Sequence, residues 1–219
     1  MMVIQKFREN YHGRDFVLGD LHGCYDLLVA EMKKVDFDKS KDRIFAVGDL
    51  VDRGPESLKC LSLVFENWFH SVLGNHCEMM FNGVLESSMG EFQCWMQNGG
   101  TWALDFIEMN HVDQTFVDTL MACQSVMPLA FQIDTNSGET IGVLHGDAPE
   151  FWNEALIRDC RMKTLWGRDR IAAKNSRPVK DIDKVFVGHT PVQGIQQFGN
   201  VYYIDTGGVF NNDLTLLEI

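Results

Sequence analysis

The chain is defined first by what it lacks. No run approaches the roughly 20 apolar residues that a membrane-spanning helix needs, so no such helix is expected. No CxxC pair occurs among the six cysteines at 24, 60, 77, 94, 123 and 160, which excludes zinc–thiolate and dithiol motifs. The first ten residues, MMVIQKFREN, carry charges where an export signal needs an apolar stretch. Free thiols in a reducing compartment, and so the cytoplasm, are the expectation. Internal repeats, low-complexity tracts and Pro/Gly-rich linkers are also missing, and a single domain over 1–219 is expected. Positive charge is scarce: 19 Lys and Arg stand against 31 Asp and Glu, for a net charge of −12. Such a surface repels nucleic-acid backbones, so any phosphate must be held by local basic residues.

What remains is an ordinary globular composition, 45% hydrophobic and 23% charged, enough for a core. Its pattern is specific. Short apolar runs rich in β-branched and aromatic residues each stop at glycine or a metal-ligand residue. Phe16–Leu18 leads into Gly19-Asp20-Leu21-His22-Gly23. Ile44–Val47 leads into Gly48-Asp49-Leu50-Val51-Asp52-Arg53-Gly54. Ser71–Leu73 leads into Gly74-Asn75-His76, Ile141–Leu144 into His145-Gly146-Asp147, and Val185–Val187 into Gly188-His189-Thr190. Val201–Ile204 leads into Asp205-Thr206-Gly207-Gly208, where a turn is the simpler reading. Runs of this kind read as buried strands. Helical stripes lie between them, with Leu28, Met32 and Val35 in 25–35 and Leu58, Leu61, Val64 and Phe65 in 56–69. Strands alternating with helices indicate an α/β fold, whose ligands gather beyond the carboxyl ends of the strands. The stretch 78–126 is rich in Met, Trp and Phe, with helical spacing around Trp102, Phe106 and Met109. It reads as a mostly helical insertion whose bulk is core packing.

The residue types at the strand ends are those of a two-metal site. Asp20 and His22 flank one residue in a turn. Asp49 can bridge two ions, Asn75 offers a neutral carbonyl oxygen, and His145 and His189 offer imidazoles. Mixed oxygen and nitrogen donors suit a pair of Mn, Fe or Zn ions better than calcium, and two ions about 3.5–4 Å apart serve in-line displacement at phosphorus. The leaving oxygen then needs a proton. His76 directly follows a ligand, with Asp52 as the carboxylate to orient it. Arg53 supplies a bidentate clamp for phosphate. Asp147 reads equally as a turn residue or a support behind the ligands, and His12, His70 and His111 as surface or structural histidines.

These motifs, with Asn98-Gly99-Gly100, Trp166-Gly167-Arg168 and Tyr203–Gly207, resemble the serine/threonine phosphoprotein phosphatases, especially the small bacteriophage-lambda-type and bacterial ones. The resemblance covers almost the whole chain. It implies a four-layer α/β/β/α metallophosphatase sandwich with the insertion at 78–126. It implies Asp20, His22 and Asp49 on one divalent ion and Asp49, Asn75, His145 and His189 on the other, with manganese the first choice and iron or zinc the alternatives. It also implies His76 and Asp52 as the acid pair, and Arg53 and Arg168, with Asn75, on the phosphate. The expected activity is hydrolysis of phosphoserine and phosphothreonine, with phosphotyrosine as an extension, by a water that the two ions activate. The expected partners are phosphorylated proteins or peptides, without nucleic acid or membrane, and a monomer is the default. The chain departs from the family at Leu73, where many members carry a phosphate-binding arginine, and at Cys77, where an acid is usual. Leu73 is closer to the dinucleoside tetraphosphate hydrolases on the same scaffold, whereas Asp52-Arg53-Gly54 is the phosphatase form. A nuclease is disfavoured by Pro191, which stands where such enzymes tend to carry a second histidine, and by the net charge. A binding module that has lost its metals would show gaps in the ligand set, and the sequence shows none.

Overall fold

The computed structural model describes residues 2–108 and 111–219. Met109, expected on a helical stripe, lies outside them.

Twelve strands are present among the described residues: β1 (Ile4–Phe7), β2 (Asp15–Leu18), β3 (Arg43–Ala46), β4 (Phe69–Ser71), β5 (Ile107–Glu108), β6 (His111–Val112), β7 (Ala130–Asp134), β8 (Thr140–Leu144), β9 (Lys184–Val187), β10 (Gln196–Phe198), β11 (Val201–Tyr203) and β12 (Leu216–Glu218). The helices are α1 (Tyr25–Lys34), α2 (Ser57–Ser62), α3 (Asn75–Val84), α4 (Met89–Gln97), α5 (Gln114–Val126), α6 (Glu154–Asp159), α7 (Arg161–Trp166), α8 (Asp169–Ala172) and α9 (Gly208–Asn211), with 3₁₀ turns at Leu63–Phe65 and Gly100–Phe106.

A six-stranded sheet runs β1-β7-β8-β9-β11-β10 and a four-stranded sheet runs β12-β2-β3-β4. In the smaller sheet β2, β3 and β4 are parallel and β12 closes the edge antiparallel to β2. In the larger one β8, β9 and β11 are parallel. Val17 and Phe45 of the smaller sheet, with Val72 just beyond β4, meet Phe131, Ile133, Ile141, Val143 and Phe186 from the larger in one apolar cluster. Their sequence neighbours Phe16, Leu18, Ile44 and Ala46 belong to a second cluster with Leu28 and Met32 of α1, Cys60 and Leu61 of α2 and Phe81 of α3. The period of two in a strand sends alternate residues to opposite faces, so each central strand is buried on both. The continuous apolar runs in the sequence are the signature of that double burial. The architecture is the expected α/β sandwich.

Three local expectations change. The stripe at 56–69 does not remain helical: α2 ends at Ser62, one 3₁₀ turn follows, and Phe69 pairs with Ile44 as strand. The third strand runs Phe69–Ser71 rather than Ser71–Leu73, and Val72 and Leu73 carry extended chain toward the next loop. The insertion is mostly helical but also contains the β5–β6 hairpin.

Candidate metal centre and acid pair

Parallel strands deliver their carboxyl ends to one edge of the sandwich. Asp20 follows β2, Asp49 follows β3, Asn75 opens α3 after β4, His145 follows β8 and His189 follows β9. All five are buried, as are His22, Asp52 and His76. His22, Asp49, Asp52, Arg53 and His189 all have positive φ, between 42° and 75°. Non-glycine residues avoid that region, and at functional sites the surrounding structure holds them there. A side chain on Gly188 would overlap the Asp20 carboxyl, so the loop can close on the acid only with glycine at that position.

Two groups of ligand atoms lie within 4.8 Å of one another, His22/Asp49/His76 and Asp49/His145/His189, sharing Asp49. Asn75 Oδ1 is 2.8 Å from His145 Nε2 and 2.9 Å from His189 Nδ1. Asp49 Oδ2 is 3.3 Å from His145 Nε2 and 3.7 Å from His22 Nε2. Ligand bonds of about 2.0–2.2 Å separate neighbouring ligands by about 3 Å, so these spacings match the edges of a coordination shell.

The tautomers give an independent test of fit. His22 Nδ1 is 2.8 Å from the Val51 carbonyl, and His145 Nδ1 is 2.8 Å from the Val47 carbonyl. A carbonyl only accepts, so both rings carry their proton on Nδ1 and turn the Nε2 lone pair inward. His189 also bonds the Trp166 backbone. Inward lone pairs beside Asp49 and Asn75 oxygens repel unless positive charge lies among them. Burial pulls the His22 and His189 imidazoles down to about 3, which leaves them neutral and ready to ligate. His145 moves up: burial opposes its charge, but Asp49, by charge and hydrogen bond, more than offsets that. Asp20 is raised well above the carboxylate range by burial and then by Asp205 and Asp49. Asp205 is raised too, by burial first. Three buried carboxylates crowd each other, and their combined charge raises the neighbouring His145 imidazole, which is an environment for cations. The donors present fit two divalent ions.

Beside them lies the expected acid pair. His76 Nδ1 is 2.6 Å from Asp52 Oδ2. The His76 backbone N–H, in the first turn of α3, donates to Asp49 Oδ1 at 3.0 Å, so one helix start orients both His76 and Asp49. Arg53 is exposed. Its Nη1 is 2.6 Å from His22 Nε2 and its Nη2 is 2.8 Å from His76 Nε2, so the guanidinium fork spans the gap between the two histidines. The exposed Phe210 ring lies 5.5 Å from that guanidinium. Arg168 stands at the rim, where its Nη2 donates to the His189 carbonyl at 3.3 Å.

Other expectations find their places. Asp205 makes a turn by accepting from Gly207 N–H at 3.1 Å, and it also faces Asp20 and Asp49. Asp147 Oδ2 accepts from the Arg170 backbone at 3.1 Å, which supports the turn carrying Arg168. His70 is structural, stacked on Phe45 at 5.3 Å. Leu73 and Cys77 are both fully buried, and burial pushes the Cys77 thiol well above its usual range. Glu78, one place on, accepts from Arg161 Nη2 at 2.7 Å and from Trp166 Nε1 at 3.3 Å, and Trp166 packs edge-on against His189. Two residues of the site escape the sequence reading: Trp95 and Trp102, from the insertion, both donate to Asp52.

Comparison with known proteins places the chain among relatives. The family model for calcineurin-like phosphoesterases matches residues 16–213. Serine/threonine-protein phosphatase 1 of Salmonella typhimurium is 32% identical over 204 residues, 93% of this chain and 91% of that protein. A symmetrical bis(5'-nucleosyl)-tetraphosphatase of Xylella fastidiosa is 27% identical over 259 residues, 93% of this chain and 86% of that protein. A crystal structure described as a candidate diadenosine tetraphosphatase superposes with a TM-score of 0.66 at 19% identity, covering 100% of this chain and 98% of that one.

Proposed function

The chain belongs to the calcineurin-like phosphoesterase family, and on that premise we propose that this hydrolase is a metal-dependent protein phosphatase acting on phosphoserine and phosphothreonine, with phosphotyrosine as a further substrate. The observation that carries this reading is the Arg53 fork joined to the His76–Asp52 pair at the edge of the ligand cluster. A phosphomonoester needs a clamp for its charge and a proton for a poor leaving group, and this arrangement supplies both.

Asp20, His22 and Asp49 would hold one ion, and Asp49, Asn75, His145 and His189 the other, with manganese the expected metal. Such a pair polarises the phosphoryl group and lowers the pKa of water. The chain's own residues do the rest. Arg53 leaves His22 and His76 for the phosphate oxygens, and Arg168 and the Asn75 amide face the same group. Released from Arg53, His76 Nε2 is free to carry a proton to the departing serine or threonine oxygen. Asp52 fixes the ring.

Leu73 and the tetraphosphatase relative favour a second reading, cleavage of dinucleoside tetraphosphates. A panel with manganese decides between them: phosphoserine, phosphothreonine and phosphotyrosine peptides against diadenosine tetraphosphate. Higher kcat/KM on the phosphopeptides is expected. A preference for the dinucleotide, with the peptides untouched, overturns the protein-phosphatase reading.

A further inference from the structure

Asp52 is fully buried, and its partners are unusual for a carboxylate. Oδ2 meets His76 Nδ1 at 2.6 Å. Trp102 Nε1 donates to Oδ1 at 2.7 Å, and Trp95 Nε1 donates across both oxygens at 3.0 and 3.1 Å. The Asp52 backbone N–H donates to Ser57 Oγ at 2.9 Å, which anchors the residue at its left-handed φ of 75°.

From this we propose that Trp95 and Trp102 form an indole clamp that positions the acid pair, an inference that rests on His76 being the proton donor. An indole N–H only donates, carries no charge and cannot rotate its polarity as a hydroxyl or water can. Two indoles therefore fix the carboxylate and fill Oδ1 while leaving its negative charge uncancelled toward Nδ1–H of His76. An arginine at the same place would fix Asp52 equally well but neutralise it. The Nδ1–H of His76 would then lose sole use of an uncompensated acceptor. The clamp gives orientation without that loss.

The insertion is built around this function. Trp95 is fully buried on α4, and Trp102 lies on the following 3₁₀ turn, with the two rings edge-to-face at 6.1 Å. Phe92 braces Trp95 at 6.0 Å and Phe116 of α5 braces Trp102 at 6.0 Å. The Asn98-Gly99-Gly100 turn between them is explained by the same packing. Gly99 has φ 111°, and a Cβ there would lie 3.0 Å from the Arg53 backbone nitrogen. A Cβ on Gly100 would lie 2.6 Å from the Trp95 ring. The turn thus seats the clamp against both Asp52 and the backbone of the phosphate-facing arginine.

The test reads leaving-group dependence in the manganese-loaded enzyme. A serine alkoxide needs the proton and para-nitrophenolate does not. Trp95→Phe and Trp102→Phe keep the ring and lose the N–H. Each is expected to lower kcat on a phosphoserine peptide about 10-fold, the usual scale for a supporting hydrogen bond at such a site. The fall on para-nitrophenyl phosphate should stay under about 2-fold, with metal content and KM unchanged. Gly100→Ala, which displaces Trp95, should reproduce that split. Equal losses on both substrates, or none on either, overturn the clamp. His76→Asn run in parallel separates the two ideas. If it discriminates between the substrates and the tryptophan variants do not, the acid reading stands and the clamp falls. If it does not discriminate, both fall. A structural readout is independent of turnover: in diamagnetic zinc-loaded protein, Asp52→Asn should shift two of the five indole N–H signals. Five unmoved signals refute the hydrogen bonds themselves.

Discussion

At the scale of single residues, the proposed scheme gives Asp49 and His76 different work although both lie against the same cluster. Asp49 is held well below the carboxylate range: burial opposes its charge, but His145, His76 and His22 together outweigh it. It is the one residue common to both ligand groups. Asp49→Asn keeps the shape, removes the charge the proposed scheme places between the ions, and should reduce bound manganese from two per chain toward none, measured by elemental analysis after gel filtration. Retention of both ions in the variant would deny Asp49 the bridging role. His76 holds no ion in the proposed scheme, so His76→Asn should keep the metal. Turnover on phosphoserine peptides should fall about 10²–10³-fold, the scale of losing a general acid, with a much smaller fall on aryl phosphates. Loss of manganese in His76→Asn would return His76 to the ligand set, where its distance to Asp49 also permits it.

At the scale of elements, β4 carries a second kind of histidine. His70 pairs with Phe45 across the sheet and its ring contacts Phe7, Phe45 and Phe131. Burial and then Arg43 push its imidazole down to about 4. The folded chain therefore resists protonation that the unfolded chain accepts near 6.5. The stabilising effect of a neutral His70 is complete above that value and is lost as pH falls toward 4. Between pH 7 and 5 the wild type should lose about 2 kcal/mol more than His70→Phe, which cannot titrate. Urea unfolding of both proteins at the two pH values measures this, and parallel losses would mean His70 is freely protonated in the fold. How legible each element is follows from how local its cause is. An apolar run stopped by glycine or a ligand-type residue is complete within seven residues, which is why Asp20, Asp49, Asn75, His145 and His189 stand out in the chain as candidate ligands. The 56–69 stripe misleads because Phe69 satisfies a helical period yet pairs with Ile44 in the sheet. The indole clamp leaves no local trace: Trp95 and Trp102 are 43 and 50 residues from Asp52, and their aromatic spacing suits a core equally well.

At the scale of the whole molecule, the ligand cluster joins the two sheets. Asp20, Asp49 and Asn75 extend from the four-stranded sheet, and His145 and His189 from the six-stranded one. Between the sheets lies the smaller apolar cluster of Val17, Phe45, Phe131 and Val143. At the carboxyl edge that apolar contact gives way to buried acids, with Asp20 and Asp205 raised and Asp49 close by. Without cations, that edge is where the sandwich repels itself. Ions bound there would act as a staple across the sheets and would stabilise the fold by mass action as well as serving the chemistry. Manganese at 100 times its Kd should add about 2.7 kcal/mol, which for a chain of this size is a rise of about 5–10 °C in Tm. Scanning calorimetry with chelator and then with manganese measures the rise, and Asp49→Asn should abolish most of it. Hydrogen exchange locates it: protection should increase at the carboxyl ends of β3 and β8 together, since one shared ion cluster tightens both sheets. Protection confined to one sheet would show ions held by that sheet alone, and the staple would then be absent.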